Sequence, residues 1–437
     1  MFWETPRNPE APAVITADKG DYTYHELFRR ADESAASLPN SRCLVFILCT
    51  NSVESVIAYL ACLRHNHVAL LLNRDTKEDI LDRLISTYSP NYIHDPQTGF
   101  RPVAGSLPAV LHKDLALLLS TSGSTGSPKL VRLSHTNLQS NAEAISEYLN
   151  LSPSERPISV LPLYYSFGLS ILNSHLACGG ALLLTQESLI SPSFWSFLSD
   201  KQATSLSGVP YTYQMLELLS FRKKNFPSLR YLSQAGGHLP KEMVHTYAQW
   251  AREHDIRFYV MYGQTEATAR MSYLPPHLAE QHPDSIGIAI PSGHFDIESE
   301  ELIYRGANVS MGYATCRADL SKGDENQGVL HTGDTASMDE NGLFYITGRL
   351  KRFLKIAGNR FSLDELEARF LEQGIQAVCG GTDSRLLVAI TNPEHKKTAS
   401  QFLKDSWHLM KNQYEIRIVD SIPRNQAGKV LYSQLFN

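Results

Sequence analysis

The sequence has no apolar run approaching the roughly 18–20 residues that cross a bilayer, and stretches such as Cys43–Cys49 are only strand-length. A membrane-spanning helix is therefore not expected. It has no Cys-x-x-Cys pair, because its 6 cysteines (43, 49, 62, 178, 316 and 379) are scattered. That argues against a zinc site or a disulfide framework and for reduced thiols packed in a core. The start, Met1-Phe2-Trp3-Glu4-Thr5-Pro6, lacks a basic stretch followed by an apolar one. A secretory signal is not expected, and a cytoplasmic location is. There is little excess of charge either: 40 Lys and Arg meet 45 Asp and Glu, a net of -5. Bulk charge thus gives no reason to expect nucleic acid or an anionic membrane as partner. Internal repeats and low-complexity segments are also missing. What remains is a chain of 437 residues, 43% hydrophobic and 19% charged, with globular composition and room for a large core.

The first third alternates two periodicities. Thr23-Tyr24-His25-Glu26 is a capping box, after which Tyr24, Leu27, Phe28, Ala31 and Ala35 recur at helical spacing. Cys43 to Leu48 then reads as a buried strand. Ser52 caps a helix whose apolar face is Val56, Ile57, Leu60 and Leu63, and Val68–Leu72 is a second apolar strand. Strands that are apolar throughout, separated by amphipathic helices, predict a parallel sheet covered on both faces. The fold class is α/β.

A compositional shift comes late. Residues 349–437 carry 14 Lys and Arg against 9 Asp and Glu, a net of +5, which leaves -10 on residues 1–348. The later stretch predicts a helix capped by Ser362, a strand over Leu386–Ile390, a helix around 399–410 and a strand over Tyr414–Ile418. These suffice for a small α+β domain. The expected organisation is a large domain over 1–348 and a small one over 349–437.

Four motifs carry chemistry. In Leu117-Leu118-Leu119-Ser120-Thr121-Ser122-Gly123-Ser124-Thr125-Gly126-Ser127-Pro128-Lys129, an apolar strand runs into small, hydroxyl and Gly positions and then a lysine. Backbone N–H groups and hydroxyls in such a loop can wrap a polyphosphate, although a flexible linker shares the composition. It is not a Walker loop, which needs Gly-x4-Gly-Lys-Ser/Thr opening a helix. Tyr262-Gly263-Gln264-Thr265-Glu266 ends a strand with an aromatic, a hydroxyl and a carboxylate, suited to a base, a phosphate and Mg²⁺; a capped turn explains it equally well. Thr332-Gly333-Asp334, followed by Arg349, offers a carboxylate for ribose hydroxyls or an ordinary Asx turn. Pro423-Arg424-Asn425-Gln426-Ala427-Gly428-Lys429 presents one lysine near the C-terminus.

Taken in this order, the four resemble the signatures of the adenylate-forming (ANL) superfamily, which contains acyl-CoA synthetases, adenylation domains of peptide synthetases and firefly luciferase. Tyr22-Thr23-Tyr24-His25-Glu26-Leu27, Leu161-Pro162-Leu163-Tyr164-Tyr165, Ala235-Gly236-Gly237-His238-Leu239-Pro240, Tyr304-Arg305-Gly306 and Met311-Gly312-Tyr313 match as well. The resemblance runs from about residue 10 to 433. It implies a luciferase-like large domain, a small mobile C-terminal domain, and activation of a carboxylic acid by ATP and Mg²⁺ to an acyl-AMP. The acyl group then passes to a thiol, either coenzyme A or the phosphopantetheine of a separate carrier protein.

By that resemblance, Thr121, Ser122, Gly123, Ser124, Thr125, Gly126 and Lys129 contact the β- and γ-phosphates. Gly236 and Gly237 border the adenine, which stacks on Tyr262 beside Gly263. Thr265 binds the α-phosphate, Glu266 takes the metal, and Asp334 with Arg349 holds the ribose. Lys429 stabilises charge at the reacting carboxylate, and Lys351 is the hinge. The acid pocket draws on Tyr165, Ser207, Gly208, Val209, Tyr213, Ser233, Gln234 and Met271. Tyr165 stands where many acyl and aryl ligases have His, and no Asp marks an amino-acid pocket. A modest aryl or a short-to-medium aliphatic acid is expected. The competing readings are an acyl-AMP ligase with a non-thiol acceptor and a nucleotide-binding protein without turnover.

Overall fold

The structure, a computed structural model, describes all residues except 7, 19, 107, 109, 121–128, 351, 357–358, 383, 425–429 and 437, and only the backbone of 353, 355, 359, 360 and 433. Helices begin where side chains can satisfy their first N–H groups. Thr23 accepts from the Glu26 N–H to open Tyr24–Ala35, and Ser52 accepts from Ser55 to open Val53–Arg64. Ser134 and Ser362 do the same for His135–Tyr148 and Leu363–Glu372.

The chain divides into two compact units, Met1–Phe295 with Tyr304–Leu330, and Asp296–Ile303 with His331–Asn437. By packing, then, residues 331–348 group with the second unit, whereas the sequence places its boundary at 348/349.

The first unit holds two large sheets. In the seven-stranded one, Leu44–Cys49, Val68–Asn73 and Leu115–Ser120 run parallel, with Leu44 opposite Val68 and Ala69 opposite Leu117. These are the apolar runs read from the sequence, and all of their apolar residues but Leu48 are buried, because helices cover both faces. Leu130–Ser134 returns antiparallel to Leu115–Ser120, with Ser120 opposite Leu130. The nine-stranded sheet has the parallel strands Ser205–Gly208, Tyr231–Gln234 and Arg257–Tyr262 side by side. Their carboxyl ends and the turns that follow carry most of the residues singled out above.

The strand Val329–Met338 pairs antiparallel with Phe344–Arg349 and sets Asp334 opposite Arg349. Beyond it, Ala377–Thr382, Arg385–Ile390 and Tyr414–Ile418 form a three-stranded sheet. Leu366, Phe370, Val388, Ile390, Ala399 and Leu403 are buried in the core that the sheet shares with its helices. The helix expected around 399–410 runs His395–Trp407, and His408 ends it in a left-handed conformation (φ 53°). Arg352 anchors the start of this segment: it bonds Asp364, reaches both Glu367 oxygens (2.8 and 2.5 Å) and lies over the Tyr432 ring.

Candidate active site

The strand Arg257–Tyr262 is followed at once by Gly263, where a Cβ would fall 1.8 Å from the Ala269 carbonyl oxygen. Only glycine lets the chain double back so tightly. The reversal is a single 3-10 turn, Thr265–Ala267, and then Thr268 at φ 66°, a conformation a β-branched residue rarely adopts. The strain is held from outside the loop. The Thr268 hydroxyl donates to the Asn308 carbonyl (2.7 Å), and the Asn308 amide donates to the carbonyls of Ala267 (2.9 Å) and Arg270 (3.2 Å). Tyr304 fixes the Asn308 side chain in turn (2.8 Å). Such over-determined strain is typical of a functional turn.

On this turn, Thr265 and Glu266 project toward different partners. The Thr265 hydroxyl lies 3.1 Å from that of Ser166, the first residue of the helix Ser166–Cys178. Glu266 Oε1 accepts from the Tyr313 hydroxyl at 2.8 Å, and no described residue bonds Oε2. Burial, with Glu266 adding to it, pushes the Tyr313 hydroxyl well above its ordinary range, so it stays a donor. The ring of the same tyrosine carries the Lys129 ammonium, 3.3 Å from its centroid. Tyr313 is in place because its short strand pairs with Leu130–Ser134, immediately after Lys129.

An oriented carboxylate with one oxygen to spare suits Mg²⁺, which is typically held by one or two carboxylates plus phosphate oxygens and water. Glu266 therefore fits the expected metal role on the chemistry of its donors.

Beside this turn, Gly236 has φ 83°, and a Cβ there would lie 2.5 Å from the Tyr165 hydroxyl and 3.1 Å from Val209. Burial pushes the Tyr165 hydroxyl up to about 12, so Tyr165 is a neutral wall. The Gln234 amide donates to the Gly237 carbonyl (2.7 Å), and Gln264 donates to the Tyr262 hydroxyl (3.1 Å). Ser207 and Ser233 are register partners with hydroxyls 2.7 Å apart. Gly208 packs against Thr212, and Met271 is fully buried with its N–H on the Tyr262 carbonyl (2.9 Å).

Tyr213 is separated from the acid-pocket candidates Ser207 and Ser233. Ser233 pairs with Tyr259, whereas Tyr213 packs on Phe258 (5.7 Å) and Tyr247 (4.9 Å), on the opposite face of the sheet.

In the second unit Asp334 is buried and accepts an ion pair from Arg349 Nε at 3.1 Å, while the Arg349 side chain is 64% exposed. Gly333, at φ 71°, donates its N–H to Glu301 (2.9 Å). Thr121, Ser122, Gly123, Ser124, Thr125, Gly126, Lys351 and Lys429 lie outside the described residues.

Ser166, Asn308 and Arg270 were not singled out from the sequence, and Tyr313 was quoted only as part of Met311-Gly312-Tyr313. Their signal is tertiary: each bonds or packs on residues far away in the chain.

Residues 1–95 and 89–314 match the AMP-binding enzyme family, and the chain belongs to it, within the adenylate-forming class of acid–thiol ligases. A 2-succinylbenzoate–CoA ligase of Bacillus licheniformis is 26% identical over 475 residues, covering 98% of this chain and 97% of its own. A probable CoA ligase of Humulus lupulus is 25% identical over 484 residues, 96% of this chain and 91% of its own. Among solved structures, the o-succinylbenzoate coenzyme A synthetase of Bacillus subtilis in complex with AMP has a TM-score of 0.79 at 22% identity, covering 98% of this chain and 96% of that one. ATP-bound MatB of Rhodopseudomonas palustris gives 0.79 at 22% identity, covering 99% and 96%. Both share the fold. Among the described residues no helix is long and apolar enough to cross a membrane.

Proposed function

We propose that this chain activates a small carboxylic acid with ATP, as an acyl-AMP with release of pyrophosphate, and passes the acyl group to the thiol of coenzyme A. The observation that carries this reading is the convergence of Lys129 and Glu266 on Tyr313, with the Thr265–Ser166 hydroxyl pair on the same turn. A cation, a metal-binding carboxylate and hydroxyl donors are what a triphosphate requires.

In the first half-reaction a carboxylate oxygen of the acid attacks the α-phosphorus, the bond to the β-bridging oxygen breaks, and pyrophosphate leaves. In the second, the thiol sulfur attacks the acyl carbon, its proton is lost, and AMP leaves. Both steps build charge on oxygen, so positioned donors contribute most of the catalysis. Thr265 and Ser166 donate toward the α-phosphate, and Lys129 neutralises the outer phosphates. Glu266, oriented by Tyr313, would hold Mg²⁺, whose charge would offset that of the phosphates. Tyr262 and Gly236–Gly237 take the adenine, and Tyr165 walls the acid pocket, which suits an aryl or a short-to-medium aliphatic acid.

Asp334 and Arg349 as ribose ligands, Lys429 at the reacting carboxylate, Lys351 as hinge and 349–437 as a lid domain enter on the sequence pattern. The net +5 of residues 349–437 favours a second acceptor, the phosphopantetheine of an acidic carrier protein. Acid-dependent ATP–pyrophosphate exchange, followed by thioester formation with coenzyme A and with carrier proteins, tests the reading. Exchange without any thioester would point to a non-thiol acceptor, and no exchange with any acid to a binding protein.

A further inference from the structure

Two arginines of the first unit are almost fully buried, and they are satisfied in different ways. Arg132 donates to the carbonyls of Met311, Tyr313, Lys322 and Gly323 and forms an ion pair with Glu325 at 2.5 Å. Arg270, only 2% exposed, has no carboxylate partner among the described residues. Its Nε donates to Ser170 (3.1 Å), and its Nη1 meets the Tyr148 hydroxyl (3.0 Å) and the Met261 sulfur (3.4 Å). The guanidinium lies 5.0 Å from the Phe167 ring centroid, and Nη2 bonds no described residue. A guanidinium keeps its charge in proteins, and a buried charge surrounded only by neutral groups is costly unless something completes it.

The position of Arg270 indicates what completes it. Ser170 lies one helical turn after Ser166 on the same helix face, and Ser166 bonds Thr265, the expected α-phosphate ligand. A small, largely apolar cavity that includes Ser166, Leu169 and Ser170 lies against that turn, and Arg270 does not line it. Met261, which meets Arg270, shares a sheet face with Tyr259, and through the register with Ser233 and Ser207 of the acid pocket. Arg270 therefore stands about one helical turn, roughly 6 Å, from the reacting end, on the side where the body of the acid must lie.

We propose that Arg270 recognises a second carboxylate at the far end of the acid, so that the substrate is a dicarboxylic acid held at one end for adenylation and at the other by the guanidinium. The inference deepens the ligase reading above and rests on it. One carboxylate oxygen pairs with Nη2, while the Ser170 hydroxyl, which donates to the Phe167 carbonyl (2.7 Å) and accepts from Nε, holds the guanidinium in place. A monocarboxylic acid of equal length leaves the arginine uncompensated.

The test is ATP–pyrophosphate exchange by the full chain with unbranched dicarboxylic acids from succinate to adipate, their monomethyl esters, and monocarboxylic acids of matched length. The inference expects kcat/KM to favour the best diacid over both its ester and its matched monoacid by roughly 10- to 100-fold, the range for a hydrogen bond to a charged group. Arg270→Met should abolish that ratio and Arg270→Lys should restore part of it. The wild-type comparison needs no variant and stands if Arg270→Met does not fold. Exchange with monoacids and no preference for a diacid would overturn the inference and leave the ligase reading intact. So would a folded Arg270→Met that slows all acids in equal proportion. Silence with every acid would overturn the ligase reading, and this inference with it.

Discussion

Tyr313 joins Glu266 to Lys129: its hydroxyl donates to Glu266 Oε1 at 2.8 Å while its ring carries the lysine ammonium at 3.3 Å. One aromatic side chain thus sets both the carboxylate assigned to the metal and the cation assigned to the phosphates. The two functions should separate by substitution. Tyr313→Phe keeps the ring and loses the hydrogen bond, so the Mg²⁺ concentration giving half-maximal exchange should rise, with kcat falling roughly 10-fold. Tyr313→Leu removes the seat of Lys129 as well and should raise the KM for ATP. Mg²⁺ and ATP titrations of the exchange reaction distinguish these effects; identical profiles for both variants would contradict the assignment.

Gly236 and Tyr165 should prove coupled. A Cβ at Gly236 meets the Tyr165 hydroxyl at 2.5 Å, and φ 83° disfavours any L side chain. Gly236→Ala should cost about 1–2 kcal/mol from the backbone conformation plus a further loss from the clash. Tyr165→Phe, which deletes the hydroxyl, should recover the clash component alone. Denaturant unfolding of both single variants and the double variant measures this, and strict additivity would show that the contact does not matter.

Asp319 should leave a pH signature on stability. It accepts from Thr315 N–H (2.7 Å) and hydroxyl (2.9 Å) just beyond the Tyr313 strand. These bonds, the backbone one foremost and then Lys322, hold its carboxyl well below the usual carboxylate range. A carboxyl lowered on folding contributes stability above its unfolded pKa of about 4 and loses it as pH falls toward the folded value. Asp319→Asn should therefore lower Tm at neutral pH, with the gap to wild type narrowing below about pH 4. A gap constant from pH 7 to pH 3 would refute this.

Lys429 should separate the two half-reactions. Lys429→Ala is expected to abolish ATP–pyrophosphate exchange while still permitting thioester formation from a synthetic acyl adenylate. Equal loss of both would sink the assignment to the first half-reaction.

Much of the scaffold was legible because it is local. Thr23, Ser52 and Ser362 cap helices within three residues of themselves, and the all-apolar runs at Leu44–Leu48, Val68–Leu72 and Leu117–Leu119 are parallel strands covered on both faces. Thr265, Glu266 and Lys129 were legible as motif positions. What they touch was not. Tyr313 reaches Glu266 across 47 residues and Arg270 reaches Ser170 across 100, and no short-range pattern reports such contacts. Tyr213 is the converse case. It lies close to Ser207 in the chain but on the other side of the sheet from Ser207 and Ser233, because a change of one residue along a strand reverses the face that a neighbour meets. The acid pocket read from residue types as neutral, and the buried guanidinium of Arg270 was hidden in a segment that reads only as the end of a turn.

The most direct test of the central claim is acid- and Mg²⁺-dependent ATP–pyrophosphate exchange by the wild-type chain, run beside Glu266→Gln. The account predicts exchange with at least one small carboxylic acid, none without acid or metal, and a loss of at least about 100-fold on substituting Glu266. Exchange that ignores the acid, or that survives Glu266→Gln undiminished, would contradict it.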